Sequence, residues 1–444
     1  MRHLLLALPA FALALPATAQ TAAPAVSAAA EAPRADPAFT ARLNDLLAIL
    51  NGGGDYAAYF APGFRAQVPK AAFDGVTAQL VAENGKPVAI LGVEQKSPWH
   101  GVVRVQFASA VAVMQLAVDS AAPHQVVGLL VTGFDAAEKT LPDVERALAA
   151  LHGDTGYAIA RLGTGAPQLL AGRNADRPYA IGSAFKLVIL AELVRVTNAG
   201  ARKWDDLVTL DGSPLPAGGY NRKPKGSQVS LRELATQMIS ISDNSATDIL
   251  LHTLGRERVE AMMPVLGIAD PARNRPFLST LDMFKLKGVA GLGDRYLKLD
   301  EAGRRALLNG EVAGVPLILI DQTSFLKKIP KMIDTLEWFE SPNDLVRVMD
   351  WLRRNTEGPA GADARAVLSK NPGMGPEVRG KWQWVGYKGG SEPGVMNMTY
   401  LLQAANGDWY AVTGSWNDMQ KEVEQGRFAA LMGKAAELTA PPAR

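Results

Sequence analysis

Ser183 and Lys186 form the first of three short segments whose residue types could perform nucleophilic acyl chemistry. They stand three residues apart at the start of an apolar run, LVILAEL, that is typical of a buried helix. Side chains with this spacing share one helix face, so Lys186 could take the proton from the Ser183 hydroxyl. A lysine acts as a base only where burial or a nearby cation destabilises its ammonium form. The helix N-terminus would also direct the Ser183 backbone N–H at a developing oxyanion.

The second segment is Ser-Asp-Asn at 242–244, between a helix that opens with a capping box at 230–233 and a helix that ends before Gly255. In isolation this is ordinary capping chemistry. As part of an active site, the Ser242 hydroxyl could relay a proton between Lys186 and a leaving group. The side-chain amide of Asn244 could hold a substrate carbonyl.

The third segment is Lys388-Gly389-Gly390-Ser391, at the end of a predicted strand. Lys388 could supply a fixed positive charge for a substrate carboxylate and help to lower the pKa of Lys186. The small residues, Gly390 among them, would let a ligand lie against the strand backbone. The Ser391 N–H would be the second oxyanion donor.

The composition excludes several other kinds of chemistry. The chain has 444 residues, of which 48% are hydrophobic, enough for two or three domains. With 46 basic and 44 acidic residues, its charge of +2 does not favour binding to nucleic acid. Without cysteine there can be no thiol nucleophile or thiolate metal site, and the five histidines are scattered. We therefore expect no metal and no cofactor.

The first residues are typical of an export signal. Arg2 precedes an apolar run, and Ala17-Thr18-Ala19 resembles a cleavage site, which predicts a signal peptide over 1–19. An Ala- and Pro-rich linker would follow over 20–36. We expect a periplasmic or secreted protein, in which an uncleaved signal segment would be the only contact with a membrane.

Residues 37–135 predict a small α+β domain in which helices precede strands. Phe39, Leu46 and Leu50 fall on one face of a first helix, and Phe73 and Val76 on the inner side of a second. Four strand-like runs follow, at 87–94, 101–108, 110–118 and 125–133. This order resembles the cone-shaped NTF2 or ketosteroid-isomerase-like fold. We interpret the domain as a binding or dimerising accessory.

Residues 150–440 predict a second domain, an α/β unit with an added helical region. Two early strand-like runs (156–162 and 167–171) lead through a mostly helical middle to late runs at 383–388, 395–403 and 409–415. We expect one antiparallel sheet, built from both ends of the domain, with a helical insert.

The three segments together resemble the motifs of penicillin-recognising serine enzymes. S-x-x-K, S-D-N and K-[ST]-G occur there in this order, as in class A β-lactamases and DD-peptidases. SPNDLVRVMDWLRR (341–354) and GDWYAVTGSW (407–416) are similar to the helix before the third motif and to the final strand of that family. Ser324 and Lys327 repeat the S-x-x-K spacing, but no further motif accompanies them.

The resemblance implies a β-lactamase/DD-peptidase-like fold with two departures from the family pattern. Gly389 stands where the third motif usually has a hydroxyl. The glutamate that activates water for deacylation is missing, and Asp282 and Asp294 are the carboxylates near its place. With its N-terminal domain and the segment FLST-x-x-MFKLK, the chain most resembles the serine hydrolases of clavulanic acid biosynthesis clusters. In that comparison Ser279 could lie in the pocket.

The resemblance favours an exported serine acyl hydrolase that takes a small-molecule substrate: a β-lactam, an ester or a peptidoglycan-like peptide. One alternative is a penicillin- or peptidoglycan-sensing protein that is acylated without efficient turnover. The other is a small-molecule-binding protein with a degenerate hydrolase domain. The sequence leaves the oligomeric state open.

Overall fold

The computed structural model describes residues 33–108 and 110–442. The predicted signal peptide and residues 20–32 of the predicted linker lie outside these residues. Within the described ranges, no helix is long and apolar enough to cross a membrane. Nor do these ranges contain a group of three or more histidines or carboxylates that could hold a metal ion.

The N-terminal region consists of four helices followed by a four-stranded antiparallel sheet, in the order β1-β2-β3-β4. The elements are α1 (Pro37–Leu50), α2 (Tyr56–Tyr59), α3 (Pro62–Gln67), α4 (Lys70–Asn84), β1 (Pro87–Ser97), β2 (His100–Phe107), β3 (Val111–Val118) and β4 (Val126–Asp135). This order agrees with the predicted helices and strands. The likeness to the cone-shaped fold stays a prediction.

The inner face of α4 differs from the predicted one. Phe73 is buried as expected, but Val76 is 44% exposed, so its predicted position was wrong. Thr77 takes the inward position one turn after Phe73, where its hydroxyl donates to the Phe73 carbonyl oxygen at 3.1 Å. A threonine that satisfies its hydroxyl in this way can be buried on an apolar face, which hydrophobic periodicity does not reveal.

The C-terminal region is built on one antiparallel sheet of five strands, in the order β11-β12-β13-β5-β6. The strands of the sheet are β5 (Asp154–Leu162), β6 (Gln168–Arg173), β11 (Trp384–Glu392), β12 (Val395–Gln403) and β13 (Trp409–Asn417). Two-residue strands β7 (Tyr179–Ala180) and β10 (Phe339–Glu340) pair with each other, as do β8 (Leu207–Thr209) and β9 (Gln228–Ser230). The sheet therefore draws its strands from both ends of the region, as predicted.

Helices precede, separate and follow these strands along the chain. They are α5 (Leu141–Ala149), α6 (Lys186–Asn198), α7 (Leu231–Ser240), α8 (Asn244–Leu254), α9 (Arg256–Val265), α10 (Thr280–Gly288), α11 (Leu292–Leu297), α12 (Glu301–Leu307), α13 (Thr323–Leu326), α14 (Pro342–Asn355), α15 (Ala362–Ser369), α16 (Pro376–Gly380) and α17 (Gln425–Thr439). Short 3₁₀ turns occupy Gly182–Phe185, Pro271–Asn274, Leu317–Leu319 and Pro359–Gly361, and a π-turn occupies Leu308–Val312. Helix α6 is buried along almost its whole length, as expected for the centre of the domain.

Helix α5 begins before residue 150, where the sequence places the start of the second domain. Val144 and Leu148 of this helix join the core formed by one face of the sheet and α17. By its packing, α5 belongs with the five-stranded sheet.

A buried ion cluster joins α10 to the end of β11. The ammonium of Lys287 contacts Glu337 at 3.0 Å and Glu392 at 2.5 Å, and all three side chains are largely shielded from water. Burial raises the pKa of Glu392 to about 8, and the nearby Glu337 carboxylate adds to this effect. The lysine is therefore the partner that makes two buried carboxyl groups tolerable.

Replacement of Lys287 with methionine should destabilise the fold by about 3–5 kcal/mol, because it leaves both carboxyl groups without their cation. Thermal unfolding of Lys287→Met and Lys285→Met would measure the difference. Lys285 is a matched control, since it is buried two residues earlier in the same helix and its ammonium donates only to backbone carbonyl groups. Equal losses of stability in the two variants would contradict the role assigned to the ion cluster.

Candidate active site

The chain presents Ser183 on a tight turn that leads directly into α6. Residues Gly182–Phe185 form a 3₁₀ turn, and the α-helix begins at Lys186. Side chains three residues apart eclipse one another in a 3₁₀ turn, so Ser183 and Lys186 project to the same side. The Phe185 ring stacks on Trp338 at 3.7 Å between centroids and fixes the turn against the core.

Lys186 is fully buried and all three of its N–H donors find acceptors. Its Nζ donates to the Ser242 carbonyl oxygen at 2.7 Å, to Ser242 Oγ at 3.1 Å and to Asn244 Oδ1 at 2.8 Å. An ammonium has only three donors, so these contacts hold the side chain in one place. The structure therefore brings the first two predicted segments together at this lysine.

The Ser242 hydroxyl also contacts a second lysine, Lys388. Lys388 Nζ donates to Ser242 Oγ at 3.0 Å, so this hydroxyl contacts the amino groups of both lysines. Ser242 has a φ of +60°, a conformation that non-glycine residues rarely adopt. The loop is held there by Asp243, whose carboxylate caps α8 by accepting from Ala246 N at 2.8 Å.

The backbone of the third segment packs against the backbone of the turn that carries Ser183. A Cβ atom added to Gly390 would lie 2.4 Å from Ser183 N and 2.1 Å from the Ile181 carbonyl oxygen. One added to Gly182 would lie 3.0 Å from Ser391 N. Only glycine at these two positions allows β11 to pack so closely against the turn, which brings the Ser183 and Ser391 amides to the same site.

Six of the seven predicted site residues line one cavity of about 430 Å³. They are Ser183, Ser242, Asn244, Lys388, Gly390 and Ser391. The seventh, Lys186, lies buried behind the wall and reaches the cavity through Ser242 and Asn244. The cavity can therefore hold a substrate next to a hydroxyl nucleophile, two amines and two backbone donors.

Burial lowers the pKa values of both Lys186 and Lys388. It lowers the pKa of Lys186 to about 7, against a smaller opposite effect of Asp248 and Asp243. Burial also lowers the pKa of Lys388 well below its usual range, and the neighbouring Lys186 ammonium lowers it further. The expected depression of the Lys186 pKa is present, but its cause is burial rather than Lys388. The sequence predicts a fixed positive charge at Lys388. The lowered pKa of this lysine disagrees with that prediction, because a lowered pKa favours the neutral amine.

We expect the acylation rate of Ser183 to rise about tenfold per pH unit below pH 7 and to level off above it. The neutral amine is the basic form of Lys186, and its fraction grows with pH up to the pKa of about 7. Rates measured between pH 5 and 9 with an uncharged activated ester would give this profile. A rate that did not change between pH 5.5 and 8 would exclude a lysine base with this pKa.

Sequence reasoning missed Tyr387, which also lines the cavity that contains Ser183. We name this cavity the catalytic cavity. A Cβ atom added to Gly389 would lie 2.1 Å from the Tyr387 hydroxyl oxygen, and one added to Gly373 would lie 2.4 Å from its ring. The phenol thus occupies the space beside Gly389, where the third motif usually has a hydroxyl. Burial raises the pKa of Tyr387 to about 12, so the phenol remains a hydrogen-bond donor at neutral pH. The sequence signal that could have revealed this role is Tyr387 itself, which stands two residues before Gly389, the position that lacks the usual hydroxyl.

Asp282 and Asp294, the two carboxylates that the sequence offers near the place of the missing glutamate, do not line the cavity that contains Ser183. Asp282 accepts from Arg256 at 2.8 Å and from the Ser279 backbone N–H at 3.0 Å, within the cap of α10. Ser279 is the capping residue and lines a different cavity from Ser183. Asp294 is exposed on α11 and does not line the catalytic cavity.

The fold has similar counterparts among solved structures. A β-lactamase from Sphaerobacter thermophilus DSM 20745 has 21% identity and a TM-score of 0.46, over 67% of this chain and 95% of that one. A β-lactamase from Chitinophaga pinensis DSM 2588 has 16% identity and a TM-score of 0.45, over 67% and 96%. PBP-A has 16% identity and a TM-score of 0.46, over 68% and 96%.

Comparison with curated protein sequences gives no match. The model of the beta-lactamase enzyme family matches residues 138–365, just over half of the chain. This range includes α5, the turn that carries Ser183 and Lys186, and the loop that carries Ser242 and Asn244. The chain therefore belongs to the beta-lactamase enzyme family.

Proposed function

We propose that the protein is an exported serine acyl hydrolase that forms an acyl-enzyme at Ser183 and acts on β-lactam, ester or amide substrates. The observation that carries this proposal is the convergence of Lys186 and Lys388 on the Ser242 hydroxyl, in the wall of the cavity that contains Ser183. A binding protein with a degenerate hydrolase domain would have no need to keep two lysines buried at this cost.

The proposed reaction begins with neutral Lys186, which takes the proton as Ser183 Oγ attacks the substrate carbonyl. The Ser183 and Ser391 N–H groups stabilise the oxyanion, and the Asn244 amide orients the substrate. Ser242 then passes a proton from Lys186 to the leaving group, which departs as the carbonyl re-forms. Attack of water on the ester releases the acid and restores Ser183.

A second candidate function is a sensor that remains acylated. It is favoured by the position of Asp282, which is engaged with Arg256 and the α10 cap and does not line the catalytic cavity. Without a carboxylate to activate water, deacylation loses general-base assistance, which is worth about 10²–10⁴ in rate.

Time-resolved intact-mass spectrometry of the protein with a penicillin, a cephalosporin and a carbapenem separates these functions, with Ser183→Ala as the control. A Ser183-dependent adduct that decays within seconds while drug is consumed would support a β-lactamase. An adduct that lasts for hours would support the sensor. If neither these drugs nor activated esters modify Ser183, the proposed function is wrong.

Replacement of Tyr387 with phenylalanine should slow acylation by a penicillin about tenfold or more. A hydrogen bond to a charged group contributes about 1.5–3 kcal/mol, and the proposed partner of the phenol is the penicillin carboxylate. An uncharged ester lacks this partner and should show a much smaller change. Acylation rates measured with both reagents give the comparison, and equal losses would contradict a specific role in carboxylate binding.

A further inference from the structure

A second cavity opens next to the catalytic one, and its walls are mainly apolar. It encloses about 380 Å³ between α10 and the segment 317–329. Leu281 and Phe284 line it from α10, and Ile320, Phe325 and Ile329 from the other side. Its volume lies in the range of small-molecule sites. We name it the apolar cavity.

Asn244 connects the two cavities, because it lines both of them. Ser242, which passes a proton to the leaving group in the proposed reaction, lines the catalytic cavity and not the apolar one, and so does Lys388. A substrate whose leaving group lies beside Ser242 must direct its acyl group elsewhere. The apolar cavity is the neighbouring space that shares Asn244 with the catalytic cavity, and it is therefore the candidate for this group.

The charges in the wall of the apolar cavity do not favour an ionic ligand. Two lysines and two carboxylates line it, so their charges balance: Lys287, Lys331, Asp321 and Glu392. Lys287 and Glu392 are also paired with each other and with Glu337. The surface next to it is also apolar, since Ile318 is 91% exposed and Leu319 59% exposed. A cluster of exposed apolar side chains beside a cavity typically marks a ligand-binding surface.

We propose that the apolar cavity binds the acyl group of the substrate and that this group is an uncharged hydrocarbon or aryl chain. This inference rests on the proposed function and names its substrate class. At about 30 Å³ for each water-sized group, a cavity of about 380 Å³ has room for roughly 12 such groups, which is enough for an acyl chain of about six to ten carbons. Short acyl groups such as acetyl would leave it empty.

Hydrolysis of p-nitrophenyl acetate and p-nitrophenyl octanoate tests the proposal, because the two esters share a leaving group and differ by six methylenes. Each buried methylene can contribute up to about fourfold in binding. We expect kcat/KM for octanoate to exceed that for acetate by at least about 30-fold. Ser183→Ala should remove both activities.

Two variants at neighbouring positions test whether the preference for octanoate arises in the apolar cavity. Phe325→Asp places a charge in the wall of the apolar cavity and should reduce the octanoate-to-acetate ratio at least about tenfold. Leu326→Asp introduces the same charge one residue later, at an exposed position outside the cavity lining, and should keep the ratio.

The outcomes distinguish this inference from the function on which it rests. Equal, Ser183-dependent rates for both esters would overturn the acyl-group assignment and leave the serine hydrolase in place. Equal effects of Phe325→Asp and Leu326→Asp would overturn the assignment to this cavity. If neither ester reacts at Ser183, the acyl-group assignment is wrong. If the β-lactams also leave Ser183 unmodified, the proposed function is wrong as well.

Discussion

Replacement of Lys186 with methionine should lower the acylation rate of Ser183 by two to four orders of magnitude. General-base assistance is worth about 10²–10⁴ in rate, and Lys186 is the proposed base, which projects to the same side of the turn as Ser183. Methionine has a similar length and no charge, so it suits a site that is already fully buried. Initial rates of adduct formation, measured by intact mass, give the result.

The control for this experiment is Lys327→Met, because Ser324 and Lys327 repeat the S-x-x-K spacing. These two residues lie at the short helix α13, and Lys327 is exposed. We expect no change in acylation from this variant. A Lys186→Met protein that is folded and acylated within tenfold of the unchanged protein would show that Lys186 is not the base.

Replacement of Gly390 with alanine should reduce acylation by at least 100-fold. The added methyl group would lie 2.4 Å from Ser183 N and 2.8 Å from Ala184 N, both backbone atoms that cannot rotate away. Relief of this contact must move β11 or the turn, and with it the distance between the two oxyanion donors. Loss of a single such donor costs about 10²–10³ in rate.

The same substitution at Gly314 is a suitable control, since a Cβ atom there would have no neighbour within 4 Å. Acylation rate and thermal unfolding should be measured together for both variants. A Gly390→Ala protein with normal acylation would mean that close packing of β11 on the turn is not required for the site. Unfolding of Gly390→Ala at room temperature would instead assign the glycine to stability alone.

Much of the site could be predicted because its motifs are local and their order is specific. Ser183 and Lys186 lie within one turn, and the segments around Ser242 and Lys388 each fit a loop or strand end. Hydrophobic periodicity also predicts α6 and the late strands of the sheet, since long apolar runs leave few alternatives.

Contacts between distant positions could not be predicted in the same way. Tyr387 lies beside the predicted lysine, yet its role depends on two glycines that leave room for its ring. The ion cluster joins Lys287 to Glu337 and Glu392, which are far apart in the sequence. The burial that lowers the pKa of Lys388 comes from packing of the whole domain and has no local signature.

The strand order of the five-stranded sheet has a consequence for the order in which the site can assemble. Strand β11, which carries Lys388 and Ser391, is joined to β5 only through β12 and β13. A chain that ended after Gln403 would contain every predicted catalytic residue, but β13 would be missing from the middle of the sheet. Ser183 and the Ser391 amide can therefore be held together only after the segment through residue 417 has joined the sheet, so a fragment without β13 should contain every motif and no assembled site.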